Sequence, residues 1–107
     1  MQDHKYIFQT GETGVSCDDI SLAQKTLEPI LHKTGLIESQ FFSREYGNRV
    51  FLKPENFQVT GSFKIRGAYY KISKLSEEEK SRGVIAASAG NHAQGVGYAA
   101  QMLVVKA

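Results

Sequence analysis

Gly61-Ser62-Phe63-Lys64-Ile65-Arg66-Gly67-Ala68 sets a single lysine between two bulky apolar side chains at the start of an expected helix. A hydroxyl at Thr60 or Ser62 caps that start by accepting a hydrogen bond from an orphan backbone N–H. From there Ile65, Ala68, Ile72 and Leu75 recur at helical spacing and predict a buried stripe. Lys64 then falls in the first turn, where the positive end of the helix dipole disfavours an ammonium. Shielding by Phe63 and Ile65 acts the same way, because desolvation favours the neutral amine. The chemistry this suits is condensation with a carbonyl, for instance an aldehyde cofactor. The plain alternative is a lysine whose stem packs while its head stays in water.

The surrounding chain has 107 residues, enough for one domain with a modest core. Its formal charge is +2, with bases and acids interleaved as in Glu77-Glu78-Glu79-Lys80, and no basic stripe points to nucleic acid. The one cysteine, Cys17, has no partner in the chain for a disulfide, which fits a reducing compartment. No apolar run reaches membrane-spanning length and the first residues lack a signal-peptide pattern. The expectation is a cytoplasmic protein that binds neither nucleic acid nor membrane.

Upstream of the lysine, residues 1–17 read as a polar, glycine-containing arm with Tyr6-Ile7-Phe8 as a docking patch. Ser16 or Asp18 caps a first helix with Ile20, Ala23, Leu27 and Leu31 on its buried face, and Pro29 ends it near Leu27. Residues 29–37 read as extended. Ser39 to Tyr46 form a second helix stopped by Gly47-Asn48, and Arg49 to Lys53 a strand ended by Pro54. Downstream, Ser76-Glu77-Glu78-Glu79 is a capping box, with Gly83 as the stop of its helix.

Val84-Ile85-Ala86-Ala87 is a wholly apolar run of the kind that forms a strand covered on both faces. It feeds Ser88-Ala89-Gly90-Asn91-His92, which opens a helix running to about Met102, with Ala93, Gly97 and Ala100 as a small-residue face. Val104-Val105 starts a further strand. Strands alternating with helices predict a parallel sheet in a layered α/β fold, and ending on a starting strand reads as a chain cut short.

The turn from Ala87 to Asn91 aims backbone N–H groups at one spot, suited to a carboxylate or phosphate. Asn91 adds two donors and an acceptor there, and Ser88 and His92 add adaptable polar groups. An ordinary capped strand-to-helix turn explains the same residues. Gly95-Val96-Gly97-Tyr98-Ala99-Ala100 spells a dinucleotide fingerprint, but it lies inside the helix and not directly after a strand. His4, His32 and His92 have no metal-ligand spacing, so no metal is expected.

Two runs, Leu52 to Ala68 and Ser88 to Gly95, in this order and separation, resemble the threonine/serine dehydratases (ammonia-lyases). These are pyridoxal-phosphate enzymes of the tryptophan-synthase-β-like fold, a three-layer α/β fold with a parallel sheet. The resemblance covers about residue 18 to the last residue, so that 18–107 would be the N-terminal part of an incomplete catalytic domain. Lys33-Thr34-Gly35 looks most like the biodegradative threonine dehydratases.

The resemblance implies that Lys64 holds pyridoxal 5'-phosphate covalently and acts as general base on the substrate Cα proton. It implies that Asn91 hydrogen-bonds the cofactor's 3′-oxygen and that Phe63 packs by its pyridine ring. Ser88, Ala89, Gly90, Asn91 and His92 would grip the carboxylate of a small amino-acid substrate. The reaction implied is loss of the β-hydroxyl as water from L-threonine or L-serine, giving a 2-oxo acid and ammonia, in a homo-oligomeric enzyme. Serine racemases resemble this chain but carry a serine where Ala89 stands; alanine has no acid/base group for two-face proton transfer, which favours elimination.

The family's glycine-rich phosphate loop and its pyridine-nitrogen contact fall beyond Ala107, so a non-catalytic remnant or interaction module stands beside the enzyme reading. Open sheet edges are expected of such a chain.

Overall fold

The computed structural model describes residues 14–107, and the Tyr6-Ile7-Phe8 patch and most of the expected arm lie outside them. Among the described residues five α-helices carry the fold. The first, α1 (Cys17–Leu27), begins at a complete capping box in which Ser16 accepts from the Asp19 N–H and Asp19 accepts from the Ser16 N–H. Leu27 is buried as expected, but Ile20 is 61% exposed. Burial is confined to the C-terminal end of α1, at Leu27, and Leu31 just beyond the helix packs on the core.

Two short strands, β1 (Ile37–Glu38) and β2 (Phe51–Leu52), flank α2 (Gln40–Tyr46) and pair antiparallel, Ile37 opposite Leu52 and Glu38 opposite Phe51. Ser39 caps α2 and Gly47, at φ 64°, ends it in the left-handed conformation that a Cβ disfavours. The strand expected over residues 49–53 therefore forms only at its centre.

The core is built by α3 (Lys64–Ser73) and α5 (Asn91–Met102), the most extensive helix pair in the chain. Ile65, Ala68 and Ile72 are buried from α3, with Leu75 half-buried beside them, as the spacing predicts. From α5 the buried residues are Gly95, Val96, Ala99 and Ala100. Of the expected small-residue face only Ala100 is buried, and Gly97 faces open space. The buried stripe thus runs through Gly95, Val96, Ala99 and Ala100, and the last three share one core cluster with Ile65. Full burial of a side chain such as Ile65 contributes about 1.5–3 kcal/mol.

Between these helices lies α4 (Glu77–Arg82), opened by the Ser76–Glu79 capping box and closed at Gly83, as read from sequence. The parallel sheet is the point of difference. Residues 84–87 do not form a strand, and Ile85 is 99% exposed. The segment shares one backbone hydrogen bond with the end of the chain, from the Val84 N–H to the Lys106 carbonyl at 2.8 Å. Val104 breaks the second expected strand by taking φ 56°. A parallel strand needs neighbours along its length and cover on both faces, and among the described residues these two segments have only each other.

Candidate active site

The segment leading to Lys64 is tied down before the lysine is reached. A 3-10 turn at Glu55–Phe57 follows Pro54, and next comes the buried Gln58. Its side-chain amide pairs with the His32 backbone, accepting from the N–H at 3.1 Å and donating to the carbonyl at 3.0 Å. Glu55 accepts two hydrogen bonds of 2.8 Å from the Arg66 guanidinium and a third of 2.8 Å from the Thr34 hydroxyl. The guanidinium donors are the main reason its carboxyl is pulled down to about 2, against the opposing effect of burial. The same bonds raise Arg66 above the ordinary arginine value.

Gly61, at φ 74°, then turns the chain into α3. Phe63 is the N-cap and offers no side-chain cap; the Ser62 hydroxyl accepts from the Lys64 N–H at a long 3.4 Å. The Thr60 hydroxyl, the other expected cap, is buried without a partner. Lys64 is the first residue of the helix, as expected, but the apolar shield is absent. Ile65 turns into the core, Phe63 is 58% exposed, and Lys64 itself is exposed. The ammonium lies 5.1 Å from the Phe63 ring centroid, close enough for a cation–π contact, and makes no salt bridge among the described residues.

The second half of the site is the N-terminus of α5. Gly90 is its N-cap and contributes no side-chain bond; the first turn holds no acid, and the Asn91 side chain has no partner among the described residues. The first intrahelical bond runs from the Gln94 N–H to the Gly90 carbonyl. The N–H groups of Asn91, His92 and Ala93 are thus free of intrahelical partners. Ser88 holds the preceding turn by accepting from the Gly90 N–H at 3.2 Å. Ser88, Ala89, Gly90, Asn91 and His92 are all exposed.

Gly95 brings the two halves together. A Cβ on it would lie 3.1 Å from the Lys64 carbonyl carbon and 3.2 Å from both the Lys64 carbonyl oxygen and the Ile65 nitrogen. Asn91 precedes Gly95 by four residues, about 6 Å along the axis. The base of the lysine therefore stands roughly one helical turn from the open end of α5. Sequence reasoning misses the role of Gly95, because its motif reads as a nucleotide fingerprint; its four-residue spacing from Asn91 is the available signal.

A cavity of about 420 Å³ lies elsewhere. It is lined by α3, α4, residues 83–86 and Val96, and it takes in His92 but not Lys64.

An exposed amine without an ion-pair partner among the described residues fits a cofactor attached through a carbonyl, and the uncapped backbone donors of α5 fit an anion. The class of site such groups suit is that of proteins carrying a carbonyl cofactor. Residues 27–107 match the family of pyridoxal-phosphate-dependent enzymes, and the chain belongs to it.

The L-threonine ammonia-lyase of Thermotoga maritima is 56% identical over 93 residues, 87% of this chain and 23% of that protein. The catabolic L-threonine dehydratase of Escherichia coli K12 is 50% identical over 94 residues, 88% of this chain and 29% of that protein. Among solved structures, the threonine deaminase of T.th. superposes with a TM-score of 0.73 at 44% identity, over 86% of this chain and 32% of that one. Serine racemase of Dictyostelium discoideum gives 0.79 at 42% identity, over 86% and 30%. The fold is that of the tryptophan-synthase-β-like pyridoxal-phosphate enzymes. The chain spans about a quarter of the length of the two curated relatives.

Proposed function

We propose that these residues serve the dehydration and deamination of L-threonine or L-serine to a 2-oxo acid and ammonia. The reading is supported by the Gly95–Lys64 backbone contact, which sets the main chain of a lysine with no ion-pair partner among the described residues about one helical turn from an open helix N-terminus. The names of the relatives supply the substrate class. Pyridoxal phosphate, when bound, supplies the electron sink that makes a Cα proton acidic and lets a β-hydroxyl leave.

Within that scheme Lys64 holds the cofactor covalently and its Nζ carries the Cα proton. Asn91 serves the cofactor with its free side-chain amide, and Phe63 packs by the cofactor ring. Residues Ser88 to His92 bind the substrate carboxylate, with the free N–H groups at the start of α5 as donors. Residues 18–107 belong to the catalytic domain, and the working enzyme is a cytoplasmic homo-oligomer.

Racemisation is the second reading, favoured by the serine racemase superposition. Proton delivery to the opposite face of Cα needs a group such as a hydroxyl, and the Ala89 methyl has no proton to give. Elimination is preferred on that ground.

The test adds pyridoxal phosphate to this chain, reduces with borohydride and maps the label by mass spectrometry. Label concentrated on Lys64 and lost in Lys64→Ala supports the reading. Label spread evenly over the lysines ends it.

A further inference from the structure

We propose that Glu55 is a positioning residue for Lys64: by gripping Arg66 and Thr34 it staples shut the loop whose last turn presents the reactive amine. The proposal rests on the reading of Lys64 as the cofactor lysine.

The geometry is specific. The Lys64 side chain is exposed and touches little beyond the Phe63 ring, so its direction is set by the backbone turn it leaves from. That turn is weakly held at its own start, with no side-chain cap at Phe63 and only the 3.4 Å bond to Ser62. It also follows Gly61, which sits in the left-handed region and makes a natural pivot. Glu55 and Arg66 lie on either side of this weak point. Both guanidinium–carboxylate bonds are 2.8 Å, the bidentate geometry that fixes orientation as well as distance.

The Thr34 hydroxyl, also at 2.8 Å, extends the grip to the segment before β1. Three stretches of chain thus meet on one carboxylate, of which 15% of the side chain remains exposed. Arg66 is two residues from Lys64, so a guanidinium locked in plane restrains the rotation of the first turn of α3. Gly95 restrains that turn from the core side. Without Glu55 only the core side remains.

The experiment compares the wild-type chain with Glu55→Gln, whose amide presents donors to the guanidinium, and with Glu55→Asp, which keeps the charge. Two quantities are read: the rate of borohydride-trapped labelling of Lys64 by pyridoxal phosphate relative to Lys71, and hydrogen exchange at the Arg66, Gly67 and Ala68 amides relative to Ala99 and Ala100. The expected result for Glu55→Gln is a drop of about tenfold in Lys64 labelling relative to Lys71, the scale of effect that misplacing a reacting group produces. Faster exchange confined to the start of α3 should accompany it, with partial recovery of both in Glu55→Asp.

Selective Lys64 labelling in the wild type that is unchanged in Glu55→Gln overturns the proposal and leaves the proposed function standing. Loss of protection at Ala99 and Ala100 together with α3 marks general unfolding and also overturns it. A wild type that labels Lys64 no faster than Lys71 removes both the proposed function and the role given to Glu55.

Discussion

Gly95 of α5 lies against the backbone of Lys64 so closely that a methyl group in place of its hydrogen would stand 3.1 Å from the Lys64 carbonyl carbon. Neither neighbour is the flexible tip of a side chain; both are main chain in helices that pack along their length. The contact fixes where the lysine turn stands relative to the open N-terminus of α5.

Gly95→Ala is therefore expected to destabilise the chain, although alanine is the better helix former. Overpacking a tight contact costs about 1–3 kcal/mol, against a propensity gain of about 1 kcal/mol. Chemical denaturation of the two proteins measures the balance, and Gly97→Ala, which meets open space, is the control expected to gain stability.

Acid should weaken the fold in a defined window. The Glu55 carboxyl is depressed from 4.5 to about 2 by Arg66. A group held lower when folded contributes its stability above the unfolded value and loses it as pH falls to the folded one. The loss is thus expected between about pH 4.5 and 2, and solvent access to the pair limits it to about 1–3 kcal/mol. Denaturant midpoints against pH in wild type and Glu55→Gln isolate this group from Asp19 and Glu79, which are also lowered by their capping bonds.

Gln58→Leu removes the amide that satisfies both backbone groups of His32 and also accepts from the Val59 N–H. Each buried group left without a partner costs about 1–3 kcal/mol. The variant should lose more stability than Asn56→Leu on the exposed neighbouring turn, as read by thermal midpoint.

Ser76→Ala opens the capping box of α4 and should cost about 1 kcal/mol. The effect belongs to a surface helix distant from Lys64 in the chain, so amide exchange should rise in residues 77–82 while labelling of Lys64 stays unchanged.

Local signals are the readable ones. The Ser16, Ser39 and Ser76 caps, the Gly47 and Gly83 stops and the Ile65–Ala68–Ile72 stripe all depend on residues within a few positions of each other, and sequence spacing records that. The pairing of residues 84–87 depends on partners far along the chain, and an apolar run says nothing about whether they are present. The exposure of Lys64 agrees with the plain alternative read from sequence, a head that stays in water, and the expected shielding by Ile65 fails for a local reason. Successive helical residues point about 100° apart, so Ile65 turns inward and leaves the residue before it uncovered. The Glu55–Arg66 pair spans a loop with no periodicity to betray it, and Gly95 matters only through the helix it touches.

The solitary hydrogen bond between Val84 and Lys106 also governs how the chain behaves in company. Ile85 and Val104 on the two segments it joins are almost wholly in water, and the peptide groups of Ile85 to Ala87 have no main-chain partner among the described residues. Such an unsatisfied ribbon is a template for intermolecular strand addition. Dilution and mass action then enter the chemistry: sedimentation should show assemblies growing with protein concentration, and a charged residue at position 85 should dissolve them.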